Sequence, residues 1–252
     1  MKVAFRIPRE QVRFGTEWYV TGFHMAYQNE MWACKPIETM YKRLAVRSVT
    51  TVLNLQDVTG EIYPFDLKTW MGDVGAETVI LPHIPFERRD TFSLSSRPSH
   101  SFSLPSYRLG VCPQGVNRHE WEVCAKSLAE HLSFDHVVLP WYLSSFGNLF
   151  EIVSNMRAKM GYSTVRNWYI EGVHGKVREF IRQCRDYNIN LITRLPFTAA
   201  EVAHDLEVYE DFSTPILPDV FVDRNQSLAI ARSIGKWATE TSTPVQTVPR
   251  AH

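Results

Sequence analysis

Two carboxylates, Asp57 and Glu171, stand directly after short runs of β-favouring residues, where a side chain projects from the end of a strand. Gln56, His83, Gln114 with Gly115, Trp141, His174, Thr193 with Arg194, and Asp223 share that placement. Carboxylates so placed suit general acid and base work, which makes Asp57 and Glu171 the candidate catalytic residues. His83, Gln114, Gly115, Trp141, Thr193 and Arg194 are the candidate substrate-binding residues. Gln114 carries a donor and an acceptor, and beside the small Gly115 it could read the edge of a planar heterocycle; the alternative is that Pro113-Gln114-Gly115 is only a turn. Glu171 follows Trp168-Tyr169-Ile170, and its alternative is a paired polar residue at a rim.

A second set is basic and aromatic. Arg88, Arg89, Arg97 and Arg108 alternate with Phe86, Phe92, Phe102 and Tyr107. Arginines among aromatics suit a phosphate backbone with a splayed base; a solvated lid is the plainer reading. The nine histidines show no HxH or HExxH spacing, so no metal site is expected. No cofactor is expected either. A P-loop, a GxGxxG turn and a G-x-S-x-G elbow are all missing, which disfavours nucleoside triphosphate, dinucleotide and α/β-hydrolase chemistry.

The elements that must hold these residues are clearest between Tyr107 and Pro140. Tyr107 to Cys112 reads as a strand and Asn117 as the N-cap of a helix. That helix carries Trp121, Cys124, Ala125, Leu128 and Leu132 on one face, and His136 to Leu139 reads as a second buried strand. This is a βαβ unit with parallel strands and a right-handed crossover. The rhythm extends both ways: strands at 49–55, 78–81, 165–170, 189–193 and 219–222, with helices at 36–44, 66–74, 148–160, 176–187, 199–209 and 227–238. Two N-terminal runs, 3–7 and 18–23, are further strand candidates. Seven strands from Val49 onward plus one of these two give eight, hence an α/β fold of the closed (β/α)8 TIM-barrel type. An open doubly wound sheet is the competitor. Residues 1–238 form one domain in this reading, 239–252 a frayed tail, and 83–106 a long aperiodic loop after the third strand.

The 252 residues, 44% hydrophobic and 21% charged, suit one large core, and Lys plus Arg balances Asp plus Glu at 27 each. No global field therefore draws the chain to nucleic acid or to an anionic membrane, and a nucleic-acid partner needs a local basic surface. Four scattered cysteines without a CxxC pair read as reduced thiols, as in a cytoplasm. The opening MKVAFRIPRE lacks the apolar core of a signal peptide, and no run approaches the roughly 18 apolar residues of a membrane span.

The segment Gly110-Val-Cys-Pro-Gln-Gly-Val-Asn-Arg-His-Glu-Trp-Glu-Val-Cys-Ala125, with Phe134-Asp-His-Val-Val-Leu-Pro140, resembles the core of tRNA-guanine transglycosylase-like barrels. The likeness is nearest to the short phage-borne members that put 7-deazaguanines into DNA. Thr78 to His83, Tyr169 to Val173 and Thr193 to Ala200 resemble further family segments in the same order, so the likeness spans roughly residues 50 to 200.

The resemblance implies a base exchange at a glycosidic bond in phage DNA or tRNA, in which an aspartate attacks the anomeric carbon and a 7-deazapurine replaces the departing base. It implies that Gln114 and Gly115 read the base, and that Asp57 lies near an acid/base aspartate. It further implies nucleic acid and a 7-deazapurine as partners, and a host cytoplasm as location if the chain is viral. The sequence departs from the family pattern where Pro82-His83 replaces Pro-Asp and where Ile192 replaces the nucleophilic aspartate. Glu171 and Asp223 are the nearest replacement carboxylates. Two functions follow: an active base-exchange enzyme, or a catalytically inactive barrel that binds a nucleobase, nucleotide or nucleic acid. Another barrel enzyme with a small polar substrate stands behind both.

Overall fold

A computed structural model describes residues 3–6, 23–46, 51–97, 107–171 and 177–194. Eight parallel strands form a closed barrel in sequence order: β1 (Val3–Arg6), β2 (Phe23–Tyr27), β3 (Thr51–Gln56), β4 (Ala76–His83), β5 (Arg108–Val111), β6 (His136–Leu139), β7 (Asn167–Glu171) and β8 (Ile189–Arg194). The ring closes where β8 pairs with β1, placing Ile192 beside Ala4 and Arg194 beside Arg6. Helices α1 (Gln28–Ala33) and α2 (Lys35–Val46) follow β2, α3 (Pro64–Val74) follows β3, and α4 (Arg88–Ser96) follows β4. Next come α5 (Arg118–His131) after β5, a 3-10 helix (Trp141–Phe146) and α6 (Leu149–Lys159) after β6, and α7 (Val177–Asp186) after β7.

The expected (β/α)8 barrel is present, but from a different eight strands. Both N-terminal candidates take part, the second starting at Phe23, where the sequence pattern ended it. β8 then closes the ring, so the run 219–222 is not needed for it. That run, the expected helices 199–209 and 227–238, the tail, and residues 18–22 lie outside the described residues.

Strand alternation sorts the core into two. One set of residues, including Leu53, Leu55, Val79, Leu81, Val137, Leu139, Trp168 and Ile170, packs against the apolar faces of the surrounding helices. The other set fills the barrel itself: Met25, Tyr27, Val52, Ile80, Cys112, Val138, Tyr169 and Ile192. Local signals agree with this packing. The Asn117 side chain caps α5 by accepting from the Glu120 N–H at 3.0 Å, and Asn148 caps α6 by accepting from the Phe150 N–H at 3.0 Å. Pro64 opens α3, and Gly75, left-handed at φ 64°, ends it. At the N-terminal end of the barrel, buried His136 stacks on Tyr169 with ring centroids 5.9 Å apart, its Nδ1 3.1 Å from the phenol oxygen.

The stretch after β4 corrects the expectation of a long aperiodic loop, since 88–96 is the helix α4. Its buried face is Thr91, Leu94 and Ser95, so helical spacing is present but carried mostly by hydroxyl residues. Those hydroxyls bond back to the strand end: Thr91 Oγ1 accepts from the Ile84 N–H at 3.0 Å, and Ser95 Oγ donates to the Pro82 carbonyl at 2.7 Å. Residues 98–106 lie outside the described residues. No described helix is long and apolar enough to cross a membrane.

Gly115 sets how closely α5 approaches the sheet, because a Cβ there would lie 2.4 Å from the Trp121 backbone nitrogen. Gly115→Ala is therefore expected to destabilise the fold by about 1–3 kcal/mol, as overpacking against backbone does. A urea midpoint unchanged from wild type would contradict this tight contact.

Candidate functional site

The C-terminal ends of the strands bring together Arg6 (β1), Tyr27 (β2), Gln56 (β3), His83 (β4) and Glu171 (β7). At the centre is a partly buried charge cluster. The Arg6 guanidinium donates from Nε to both oxygens of Glu30 at 3.1 and 3.2 Å, and from Nη2 to Oε1 at 2.7 Å. Its Nη1 lies 3.5 Å from Glu171 Oε1, and its plane covers the Tyr27 ring at 3.7 Å. The Tyr27 hydroxyl donates to the same Glu171 oxygen. Burial works against the arginine's charge, but Tyr27, Glu30 and Glu171 outweigh it and raise the Arg6 pKa. Burial, followed by Glu171, pushes the Tyr27 phenol well above its ordinary value, so Tyr27 is a donor and not a phenolate.

Asp57 lies just past β3 in the left-handed region at φ 57°, a conformation aspartate tolerates better than most residues. Its N–H donates to the His83 carbonyl at 2.9 Å, and its exposed carboxylate accepts from Gln56 Nε2 at 3.1 Å and Asn29 Nδ2 at 3.3 Å. Between Asn54/Ile80 and Gln56/His83 the β3–β4 register slips by one residue. Such a bulge re-aims a side chain: Ile80 faces the interior, and without the extra residue His83 would face outward. His83 is buried, with Nδ1 3.0 Å from the Leu81 carbonyl. Burial, opposed by that carbonyl and by Glu171 and Asp57, lowers its pKa.

Gln114 is held on both ends of its amide. Its Oε1 accepts from the Phe86 N–H at 3.1 Å and from the Tyr142 hydroxyl, while Nε2 donates to Cys112 Sγ at 3.1 Å. The amide is 2% exposed; both lone-pair positions of its oxygen and one of its two N–H groups serve the barrel wall, so it braces that wall. Gly115 is buried beside it, its N–H 3.4 Å from the Tyr142 hydroxyl. What Gln114 holds is Phe86, left-handed at φ 67°, 39% exposed and stacked on Tyr142 at 4.3 Å. Trp141 is partly buried and edge-on to Phe86 at 6.3 Å, completing an aromatic rim. A bulky residue in that region marks strain held by its surroundings.

The four arginines do not form one surface. Arg88 and Arg89 begin α4, just past the C-terminal end of β4. Arg97 follows the other end of that helix, and Arg108 begins β5, so both belong to the opposite end of the barrel. Thr193 and Arg194 belong to β8, whereas His174 and Asp223 lie outside the described residues. Tyr27, Asn29 and Glu30 were missed by sequence reasoning because the second strand was framed too early, and Arg6 because the first candidate strand, 3–7, was drawn past it and so did not mark it as a strand end. The signal was the run Phe23 to Tyr27 followed by the polar Gln28-Asn29-Glu30. All four cysteines are free, with Cys112, Cys124 and Cys184 buried; burial pushes the Cys124 thiol up to about 11. Among the described residues no group of three or more His, Cys, Asp or Glu could hold a metal ion.

No protein-family model matches the chain, and no curated protein does. Among solved structures, the YdjI aldolase from Escherichia coli K12 has a similar fold, with a TM-score of 0.51 and 11% identity over 94% of this chain and 88% of that one. At that identity the likeness concerns the fold.

Two of the buried histidines, His83 and His136, predict an acid-sensitive fold. Burial holds both His83 and His136 below the ordinary 6.5, so the unfolded chain binds more protons once the pH drops under that value. Their contribution to stability is complete above about pH 6.5 and falls as the pH is lowered toward their folded values. Chemical denaturation at a series of pH values should show this slope, and His83→Gln with His136→Gln should flatten it. A wild-type stability constant from about pH 7 to 5.5 would contradict the burial of neutral rings.

Proposed function

We propose that the protein is a transglycosylase-like barrel that exchanges a guanine or 7-deazaguanine base at a glycosidic bond in DNA or tRNA, with Glu171 as the carboxylate at the reacting centre. One observation carries this reading. The resemblance assigns the nucleophile to the position of Ile192, and Glu171 pairs with Ile192 in the β7–β8 register. The carboxylate absent from one strand thus stands at the same height on the next. Tyr27 and Arg6 touch a single oxygen of it, which fixes how the carboxylate is presented, as a nucleophile or base requires. Asp57, exposed just past β3 on the far side of the ring from β7, is the second carboxylate, suited to passing a proton to the leaving base. Phe86 and Trp141 offer an aromatic rim for a planar ring, and Arg88 and Arg89 offer positive charge on the same side.

A second reading, a barrel that binds a base without exchanging it, is favoured by Ile192 itself, an apolar side chain 2% exposed where the resemblance places the nucleophile. One assay separates the two. The chain is incubated with DNA or tRNA and isotope-labelled 7-deazaguanine, and the nucleosides are then digested and weighed. The account predicts a labelled nucleoside, with Glu171→Gln reducing its formation by about 100-fold or more. Label incorporated equally by Glu171→Gln would remove Glu171 from the chemistry. Binding without incorporation would establish the non-catalytic reading.

A further inference from the structure

We propose that His83 is the proton acceptor of the barrel mouth, presenting the bare lone pair of Nε2 to an N–H or O–H group of the bound ligand. The identification of that ligand as a nucleobase rests on the function proposed above; the state of the ring does not. Three features of the fold lead to it. The slip of one residue between β3 and β4 turns the side chain at the end of β4 to the interior, where sheet alternation alone would have turned it out. Nδ1 lies 3.0 Å from the Leu81 carbonyl, and since a carbonyl only accepts, Nδ1 must carry the hydrogen. The Asp57 N–H bonds the His83 carbonyl at 2.9 Å, which fixes the backbone of the residue against the adjacent strand end.

A histidine pinned through Nδ1–H has Nε2 left for other work, and which nitrogen is free is set by that pin. Burial of the ring, 2% exposed, favours the neutral form, so Nε2 accepts and does not donate. The charged groups felt by the ring come from three other strand ends: Glu171 on β7 and Asp57 beyond β3 favour its protonation, and Arg6 on β1 opposes it. Proton transfer is then balanced. The ligand N–H or O–H bond breaks and leaves its electron pair on the ligand atom, while the proton bonds to Nε2. The resulting imidazolium is offset in part by the two carboxylates while burial and Arg6 oppose it, and the reverse step restores the neutral ring. In this scheme His83 selects a ligand that offers a donor where a carboxylate at the same place would also attract cations.

The test begins with the full chain labelled with nitrogen-15, the His83 ring signals being those lost in His83→Gln. Long-range proton–nitrogen spectra are expected to show Nδ1 protonated and Nε2 bare between about pH 6.5 and 8. A protonated Nε2 at about pH 7 would overturn the proposal. Guanine is then titrated into wild type, His83→Gln and His83→Phe. Glutamine keeps an acceptor, so its affinity should stay within about threefold, whereas phenylalanine should weaken binding about tenfold or more. Equal affinities for wild type and His83→Phe would also overturn it. A bare Nε2 with no guanine binding by wild type would support His83 as the acceptor and overturn the nucleobase reading.

Discussion

The constraint on which the site depends is the cost of taking the charge of Arg6 largely out of water. A guanidinium cannot be neutralised at accessible pH, so once β1 carries it into the barrel mouth, the surrounding strands must supply anions and acceptors. Glu30 after β2 takes two of its nitrogens, Glu171 at the end of β7 takes the third, and the ring of Tyr27 lies beneath its plane. Strands β1, β2 and β7 are thereby tied at the same end. Glu171 in turn takes the Tyr27 hydroxyl, which burial keeps protonated. The arrangement orients the carboxylate through a cation, a phenol and the register of the barrel.

Around that centre, backbone irregularities decide which side chains share the mouth. The slip between β3 and β4 turns His83 inward and Asp57 takes a left-handed turn beside it. Phe86, also left-handed, is kept in place by the bond from its N–H to Gln114 and by stacking on Tyr142. These departures from ideal strand and helix geometry all fall at the C-terminal end of the strands. The opposite end is closed by polar packing, His136 on Tyr169, and carries Arg108. Division of labour between a bracing end and a reacting end is the usual economy of this fold.

The architecture was legible where periodicity was strong. The βα unit from Tyr107 to Pro140 could be read residue by residue, because Trp121, Cys124, Ala125 and Leu128 recur at helical spacing and Asn117 caps them. Less legible was α4, whose buried face uses Thr91 and Ser95 in place of apolar residues, and β2, whose start was placed five residues early. The second error hid Tyr27 and Glu30, and with them the partners that give Glu171 its meaning. Gln114 shows another limit. Its type and position suit ligand reading, but whether an amide faces a ligand or braces a wall depends on Phe86 and Tyr142, residues distant in sequence. A bulge that re-aims His83 leaves no mark in a sequence pattern at all.

The central claim, that Arg6 and Glu171 form one coupled unit at the mouth, is tested most directly by a double-mutant cycle. Unfolding free energies would be measured for wild type, Arg6→Met, Glu171→Gln and the double variant under one set of conditions. The account predicts an interaction energy of about 1–3 kcal/mol between the two positions, each single change leaving a partner exposed to an uncompensated environment. Additivity within about 0.5 kcal/mol would contradict it and would reduce the cluster to two neighbouring but independent side chains.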